Sequence, residues 1–305
     1  MNVLVAGGTG FIGTNLCAEL RDRGQAVTAL SRNPDPSSVP EGVETAMGDA
    51  SAYDSIAETV AEHDAVINLV SLSPLYQPPS GTSHEDVHLQ GTKNFVRAAE
   101  EGGTDRFIQM SGLGVDPDAP TDYLRAKGRA EEVVKDSNLA WTIFCPSVVF
   151  GDGAEFVEFT KKLTTPYLTG LPGGGKTPFQ PIWVGDLVPM MADALEADRH
   201  VGQRYEIGGP EVLTMKRVAE LAYEAEGKSL TVLPVPMALA KVGLTVAGPM
   251  PFIPFGPDQA RSLEVDNTVD DNDIAAFGRS EDELRTLEEY LGLSPSSSPA
   301  QAEAV

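Results

Sequence analysis

Two groups of residues have the types and spacing to do chemistry. The first is Gly7-Gly-Thr9-Gly10-Phe11-Ile12-Gly13. Glycine at 7 permits a tight turn, Gly10 lets a diphosphate approach the backbone, and Gly13 lets a helix pack closely on the preceding strand. The start of that helix offers main-chain N–H donors and a positive dipole end to phosphate. The second group is Tyr123-Leu-Arg-Ala-Lys127, where a phenol and an ammonium fall at i and i+4 on one helix face. The cation favours the phenolate, so Tyr123 is a usable general acid or base. Lys127 can also hold the ribose next to a nicotinamide ring.

Further positions refine the choice of dinucleotide. An NAD site carries an acidic residue about 20 positions beyond the glycines to grip the ribose 2′-hydroxyl. Here the second apolar run ends Leu30-Ser31-Arg32-Asn33, with no carboxylate at its tip. Arg32, with the Ser31 hydroxyl beside it, suits a 2′-phosphate, so NADP is favoured and NAD is the alternative. Asp49 and Ala50 are placed to meet the adenine, and Leu69, Val70 and Ser71 to line the middle of the cofactor.

These residues need rigid elements behind them. Val3–Ala6, Ala26–Leu30, Ala65–Val70, Arg106–Met110 and Trp141–Phe144 read as buried parallel strands. Between them, 12–23, 53–62, 85–101 and 123–135 carry helical patterns. Strand–helix alternation predicts a doubly wound α/β Rossmann sheet, with its ligand at the C-terminal ends of the strands. Phe179–Val184 and Arg204–Ile207 read as further strands, each followed by a helix, and 281–290 as a helix. The expected organisation is a nucleotide-binding domain over 1–150 with returning segments at about 178–208. A small, discontinuous C-terminal cap covers 151–177 and 209–292, and a Ser/Pro/Ala-rich disordered tail covers 293–305. Gly173-Gly-Gly-Lys-Thr177 lacks the spacing and the following helix of a phosphate loop and reads as a surface loop.

Composition narrows the function. The 305 residues include 45 Asp and Glu against 22 Lys and Arg, a formal charge of −23. Such a field repels phosphate backbones, which excludes a nucleic-acid partner. Nine Lys beside 13 Arg, with so many acids, fits a halophilic cytoplasm where salt screens the repulsion. Cys17 and Cys145 form no framework of disulfides, and no Cys/His cluster suggests a metal. No signal-peptide pattern precedes Val3. Val242–Phe255, 14 uncharged residues broken by Gly and Pro, is shorter than the about 20 residues a membrane helix needs. The chain is expected in the cytoplasm, with a peripheral position at the inner face of the membrane as the alternative. The 242–255 stretch reads as cap packing, as one wall of an apolar substrate pocket, or as a docking patch for a membrane-associated complex.

Gly7-x-x-Gly10-x-x-Gly13 with Tyr123-x-x-x-Lys127 resembles the short-chain dehydrogenase/reductase superfamily in its extended or atypical branch. His88-Leu-Gln-Gly-Thr-Lys-Asn94, Phe107–Gly114, Pro146-Ser-Val-Val-Phe-Gly151, Gln180–Asp186 and Tyr205–Pro210 resemble one subgroup. That subgroup holds the Rossmann-fold accessory subunit of respiratory complex I and its prokaryotic, epimerase/dehydratase-like relatives. The resemblance runs from about Met1 to Ala240. It implies an NAD(P)-binding fold with a small cap, with Pro146 and Val148 bordering the nicotinamide. It also implies a Ser or Thr beside the tyrosine to polarise a carbonyl. Ser111 is the candidate, one place before the expected position, where Gly112 stands. His88 replaces the Asn that usually opens its helix. Cys145 stands where the subgroup often has Arg, and is expected to be a buried apolar residue. Two readings follow: an oxidoreductase moving hydride to or from a small carbonyl or alcohol, with Tyr123 as acid/base, or a non-catalytic NADP-binding accessory subunit or sensor.

Overall fold

Val3 and Val5 face one side of the first strand, Leu4 and Ala6 the other, and all four are fully buried. A strand covered on both faces needs apolar residues at every position, which is why the run is continuous. In the computed structural model, which describes residues 1–236, 261 and 265–293, this strand is β1 (Asn2–Ala6). It sits near the middle of a seven-stranded parallel sheet. The other strands are β2 (Ala26–Ser31), β3 (Glu44–Met47), β4 (Ala65–Asn68), β5 (Arg106–Met110), β6 (Ala140–Pro146) and the strand Gln203–Ile207. Their order is Gln203–Ile207, β6, β5, β4, β1, β2, β3. Ala6 is paired with Leu30 on one side and Asn68 on the other. Chain direction across the sheet therefore reverses at β1, the switch point where doubly wound sheets open a ligand crevice.

Helices cover both faces. Val3 and Val5 pack with Leu16, Cys17 and Leu20 of α1 (Phe11–Asp22) and with α6 (Val184–Glu196). Leu4 and Ala6 pack with Val60 of α2 (Ala57–Ala61), and with Phe95 and Ala99 of α3 (Gly91–Gly102). Each fully buried Leu or Phe contributes about 1.5–3 kcal/mol, so these two layers hold the sheet. A third apolar cluster joins Phe156 of α5 (Glu155–Leu163) with Phe179, Leu213 and Met215, Val218 and Leu221 of α7 (Met215–Glu224). It forms a smaller unit beside the strand ends.

Several expected elements differ. The 53–62 helix splits into a 3₁₀ turn, Tyr53–Ser55, and the short α2. The 85–101 helix opens with a π-helical turn, Glu85–Gln90, before α3. Phe179–Val184 is two short strands, Pro178–Phe179 and Ile182–Trp183, outside the main sheet. Pro181 has no N–H for a ladder, and the Gln180 N–H goes to the Asn267 carbonyl instead. The 281–290 helix is two separate turns, because Ser280 with Glu283 and Thr286 with Glu289 each form a complete capping box. Two helix starts six residues apart leave no room for one continuous helix. The expectations for Val242–Phe255 and for all of the tail but Leu293 lie outside the described residues.

Candidate functional site

The turn after β1 is built without slack. Gly7 has φ +80°, where a side chain is strained. Its N–H donates to the Leu30 carbonyl (2.8 Å), and the Gly10 N–H donates to the Gly7 carbonyl (3.0 Å). A β-carbon on Gly13 would lie 2.2 Å from the Gly7 oxygen and 2.7 Å from the Gly8 Cα. Gly10 is open, its β-carbon meeting only the Gly7 oxygen at 3.2 Å. Gly10 caps α1 without any side-chain hydrogen bond, and Phe11, Ile12 and Gly13 line a cavity of about 570 Å³. An uncapped helix start beside a cradle that a β-carbon would fill suits a diphosphate, and the residues fit a dinucleotide cofactor. Thr9 belongs to the turn but is not among the lining residues.

Along β4's exit, Asn68 holds the backbone in place. Its amide donates to Gln109 Oε1 (3.0 Å), and its Oδ1 accepts from the Val70 N–H (3.2 Å). Leu69 and Ser71 consequently line the cavity, whereas Val70 turns into the core beside Leu4. Beyond the tip of β2, Arg32 is exposed, and the Ser31 hydroxyl oxygen is enclosed and has no hydrogen-bond partner; neither residue, nor Asp49 or Ala50, is among those lining the cavity. The Asp49 carboxylate accepts from the Ser51 N–H (2.9 Å) and hydroxyl (2.7 Å). Those bonds, with a smaller contribution from the Arg32 charge, hold it below the usual carboxylate range. Ala50 is buried, and its carbonyl accepts from Asn94 (2.7 Å).

Tyr123 and Lys127 both line the same cavity as the glycine cradle. They project from α4 (Asp122–Lys135), whose start is fixed by the Thr121 side chain accepting from the Leu124 N–H. Lys127 is only 4% exposed. Its ammonium donates to the Met110 and Ser111 carbonyls at the end of β5 (both 3.2 Å) and stands 5.4 Å from the Tyr123 ring centre. Two histidines wall the tyrosine. The His84 and His88 rings stack on each other (5.5 Å), and each meets the Tyr123 ring edge-on, at 5.5 and 5.3 Å. Burial, then the nearby Lys127 charge and His84, push His88 well below the ordinary histidine range. It is a neutral imidazole whose Nε2 accepts from the Leu72 N–H (3.4 Å).

The candidate serine, Ser111, lines the same cavity but is buried, and its hydroxyl makes no hydrogen bond to Tyr123. Burial raises the nearby Glu131 carboxyl, but Ser111 and Arg204 outweigh burial and hold it low. The position that faces the tyrosine is Gly112, where a β-carbon would be 3.8 Å from the phenolic oxygen. Cys145 is fully buried, as expected, although its Sγ lies 3.3 Å from Glu131 Oε1.

Beyond β6, Pro146 and Val148 line the cavity. The Val148 N–H is already used by Asn267 Oδ1 (3.0 Å), and the Ser147 hydroxyl donates to Asn267 (2.7 Å to Oδ1). Nothing in the residue pattern marks Asn267, a lone polar residue 119 positions away. Leu75, Phe156, Phe159, Phe179, Met215 and Val265 complete the cavity and were also missed. Each reads locally as ordinary core. Among the described residues no cluster of His, Cys, Asp or Glu could hold a metal ion.

A family model described as NAD(P)H-binding matches residues 7–167, more than half of the chain. The chain belongs to the NAD(P)H-binding family. It is 32% identical over 289 residues to NADH dehydrogenase [ubiquinone] 1 alpha subcomplex subunit 9 of Arabidopsis thaliana, a match covering 88% of this chain and 71% of that one. It is 26% identical to an NAD(P)H azoreductase of Xenophilus azovorans, over 81% of each. Its fold matches Thermus thermophilus UDP-glucose 4-epimerase, solved with NAD, at a TM-score of 0.65 and 21% identity, over 87% of this chain and 98% of that one. This kinship fits the crevice at the Ala6–Gly7 switch point. No described helix of the family member is long and apolar enough to cross a membrane.

Proposed function

We propose that this chain is an NADP(H)-preferring oxidoreductase acting on a small carbonyl or alcohol, with Tyr123 as its acid/base. The observation that carries this reading is that the Tyr123 hydroxyl, the Lys127 ammonium and the glycine cradle share one cavity. The first-turn amides of Phe11, Ile12 and Gly13 would hold the diphosphate, Arg32 the 2′-phosphate, and Lys127 the nicotinamide ribose. When bound, the nicotinamide nucleotide supplies or accepts the hydride. In the reducing direction Tyr123 gives its hydroxyl proton to the carbonyl oxygen as the carbon gains hydride. The Lys127 cation, fixed by the Met110 and Ser111 carbonyls, stabilises the phenolate that remains until water reprotonates it. The stacked histidines exclude water from one side of the tyrosine ring and, being neutral at His88, add no competing charge there.

Tyr123→Phe tests the assignment. NADPH binding, followed by nucleotide fluorescence, should be unchanged, while turnover of any accepted carbonyl falls about 100-fold or more, the usual weight of a positioned acid. Unchanged turnover rejects Tyr123 as the acid. A second reading, a non-catalytic NADP-binding subunit docked on a membrane-associated respiratory complex, is favoured by the bare Gly112 and by kinship to a complex I subunit. Tight NADPH binding with no oxidation by any carbonyl of a broad panel supports it.

A further inference from the structure

The cavity around Tyr123 has a wall whose chemistry selects among carbonyl compounds. Leu75 comes from the loop after β4, Phe156 and Phe159 from α5, Phe179 from a short strand, Met215 from the start of α7 and Val265 from the C-terminal segment. Phe156, Phe159, Phe179 and Met215 are each at most 6% exposed. Their rings are locked: Phe156 tilts against Phe179 and Phe159 meets Tyr76 edge-on, both at 5.5 Å. The only ionisable groups among the described lining residues are Tyr123, Lys127 and Glu155. The Lys127 ammonium is committed to two backbone carbonyls. Glu155 is exposed and fastened to the loop after β4 by the Ser73 hydroxyl (2.7 Å), so it adds negative charge on the substrate side. The whole chain carries −23.

We infer, resting on the oxidoreductase reading, that this wall receives the uncharged apolar body of a ketone or aldehyde and rejects anionic substrates such as keto acids and nucleotide sugars. An anion placed there gives up its water, finds no cation but Lys127 among the described lining residues, and meets the Glu155 carboxylate. An alkyl or aryl chain gains from contact with four buried apolar side chains. The reaction remains the one already balanced: hydride to carbonyl carbon, proton from Tyr123 to oxygen.

The test uses the full chain, with and without NADPH, and three probes: 2-decanone, a keto acid of the same length, and UDP-glucose. Binding is read from ligand-induced shifts in melting temperature, and turnover from loss of nicotinamide absorbance. The ketone should bind about tenfold or more tightly than the keto acid, because only the keto acid leaves a charge unpaired. Glu155→Arg, an exposed substitution that should fold, should narrow that ratio by about threefold or more by giving the carboxylate a partner. Phe159→Ala should weaken the ketone and leave the keto acid little changed. Equal or tighter binding of the keto acid or UDP-glucose overturns the inference, and so does failure of all three to bind. If the ketone binds with the expected preference but no carbonyl is turned over, the apolar site stands and the oxidoreductase reading falls.

Discussion

Gly112 faces Tyr123: a β-carbon at 112 would stand 3.8 Å from the phenolic oxygen, with no other described atom within 4 Å. The place beside the acid is therefore empty for want of a side chain. The neighbouring Ser111 also lines the cavity, but its hydroxyl is buried and makes no hydrogen bond to the tyrosine.

Gly112→Ser should fit without strain and bring a hydroxyl to the oxygen that Tyr123 protonates. One added donor to a developing oxyanion should raise kcat for carbonyl reduction about tenfold, with little change in KM. Steady-state kinetics check this. An unchanged or lower kcat would mean that the carbonyl oxygen does not sit between these two positions.

Arg32→Ala removes the exposed cation just past the tip of β2 that is proposed to hold the 2′-phosphate. A charge-assisted bond to phosphate contributes about 1.5–3 kcal/mol, so NADPH affinity should fall by about tenfold or more, while NADH affinity stays within about twofold. Fluorescence titration of both nucleotides measures the two effects. Equal losses would place the 2′-phosphate elsewhere.

Gly13→Ala forces a β-carbon to within 2.2 Å of the Gly7 oxygen. Helix α1 must move off β1, at a cost of about 1–3 kcal/mol. A lower melting temperature and loss of NADPH binding are expected together. A variant that melts normally and binds normally would show that the turn has more freedom than its geometry indicates.

His88 gives a pH signature. Its folded pKa is depressed, first by burial and then by Lys127 and His84. As pH falls below about 6.5, the unfolded chain takes up a proton that the folded chain refuses. Stability is therefore lost with falling pH in this window and is unaffected above it. His88→Gln should flatten the loss between pH 7.5 and 5.5 by about 1 kcal/mol, read from urea unfolding at each pH. Carboxylates titrate alike in both proteins and cancel in the difference. Parallel slopes would mean that His88 is protonated in the folded state.

The parallel sheet is legible because a central strand such as β1 is covered on both faces, and that condition writes an unbroken apolar run, Val3–Ala6, into the sequence. The 281–290 segment was misread because its apolar residues suggest one helix, although the two capping pairs that divide it, Ser280 with Glu283 and Thr286 with Glu289, are visible in the same letters. Phe179–Val184 reads as one strand but is two short ones, because apolar content does not show that Pro181 divides the run.

The cradle and the Tyr123–Lys127 pair follow from residue order alone. Both are local: three glycines within seven residues make a turn, and i,i+4 spacing puts Tyr123 and Lys127 on one helix face. Which residue stands nearest the phenol was settled only by packing, because the fold brings the end of β5 against α4 and leaves Gly112 facing Tyr123. Packing also decided the apolar wall and the Asn267 clasp on Val148. The clasp joins residues 119 positions apart and the wall gathers Leu75, Phe156, Phe179, Met215 and Val265 from separate elements, and no local pattern records a meeting that only the packed chain brings about.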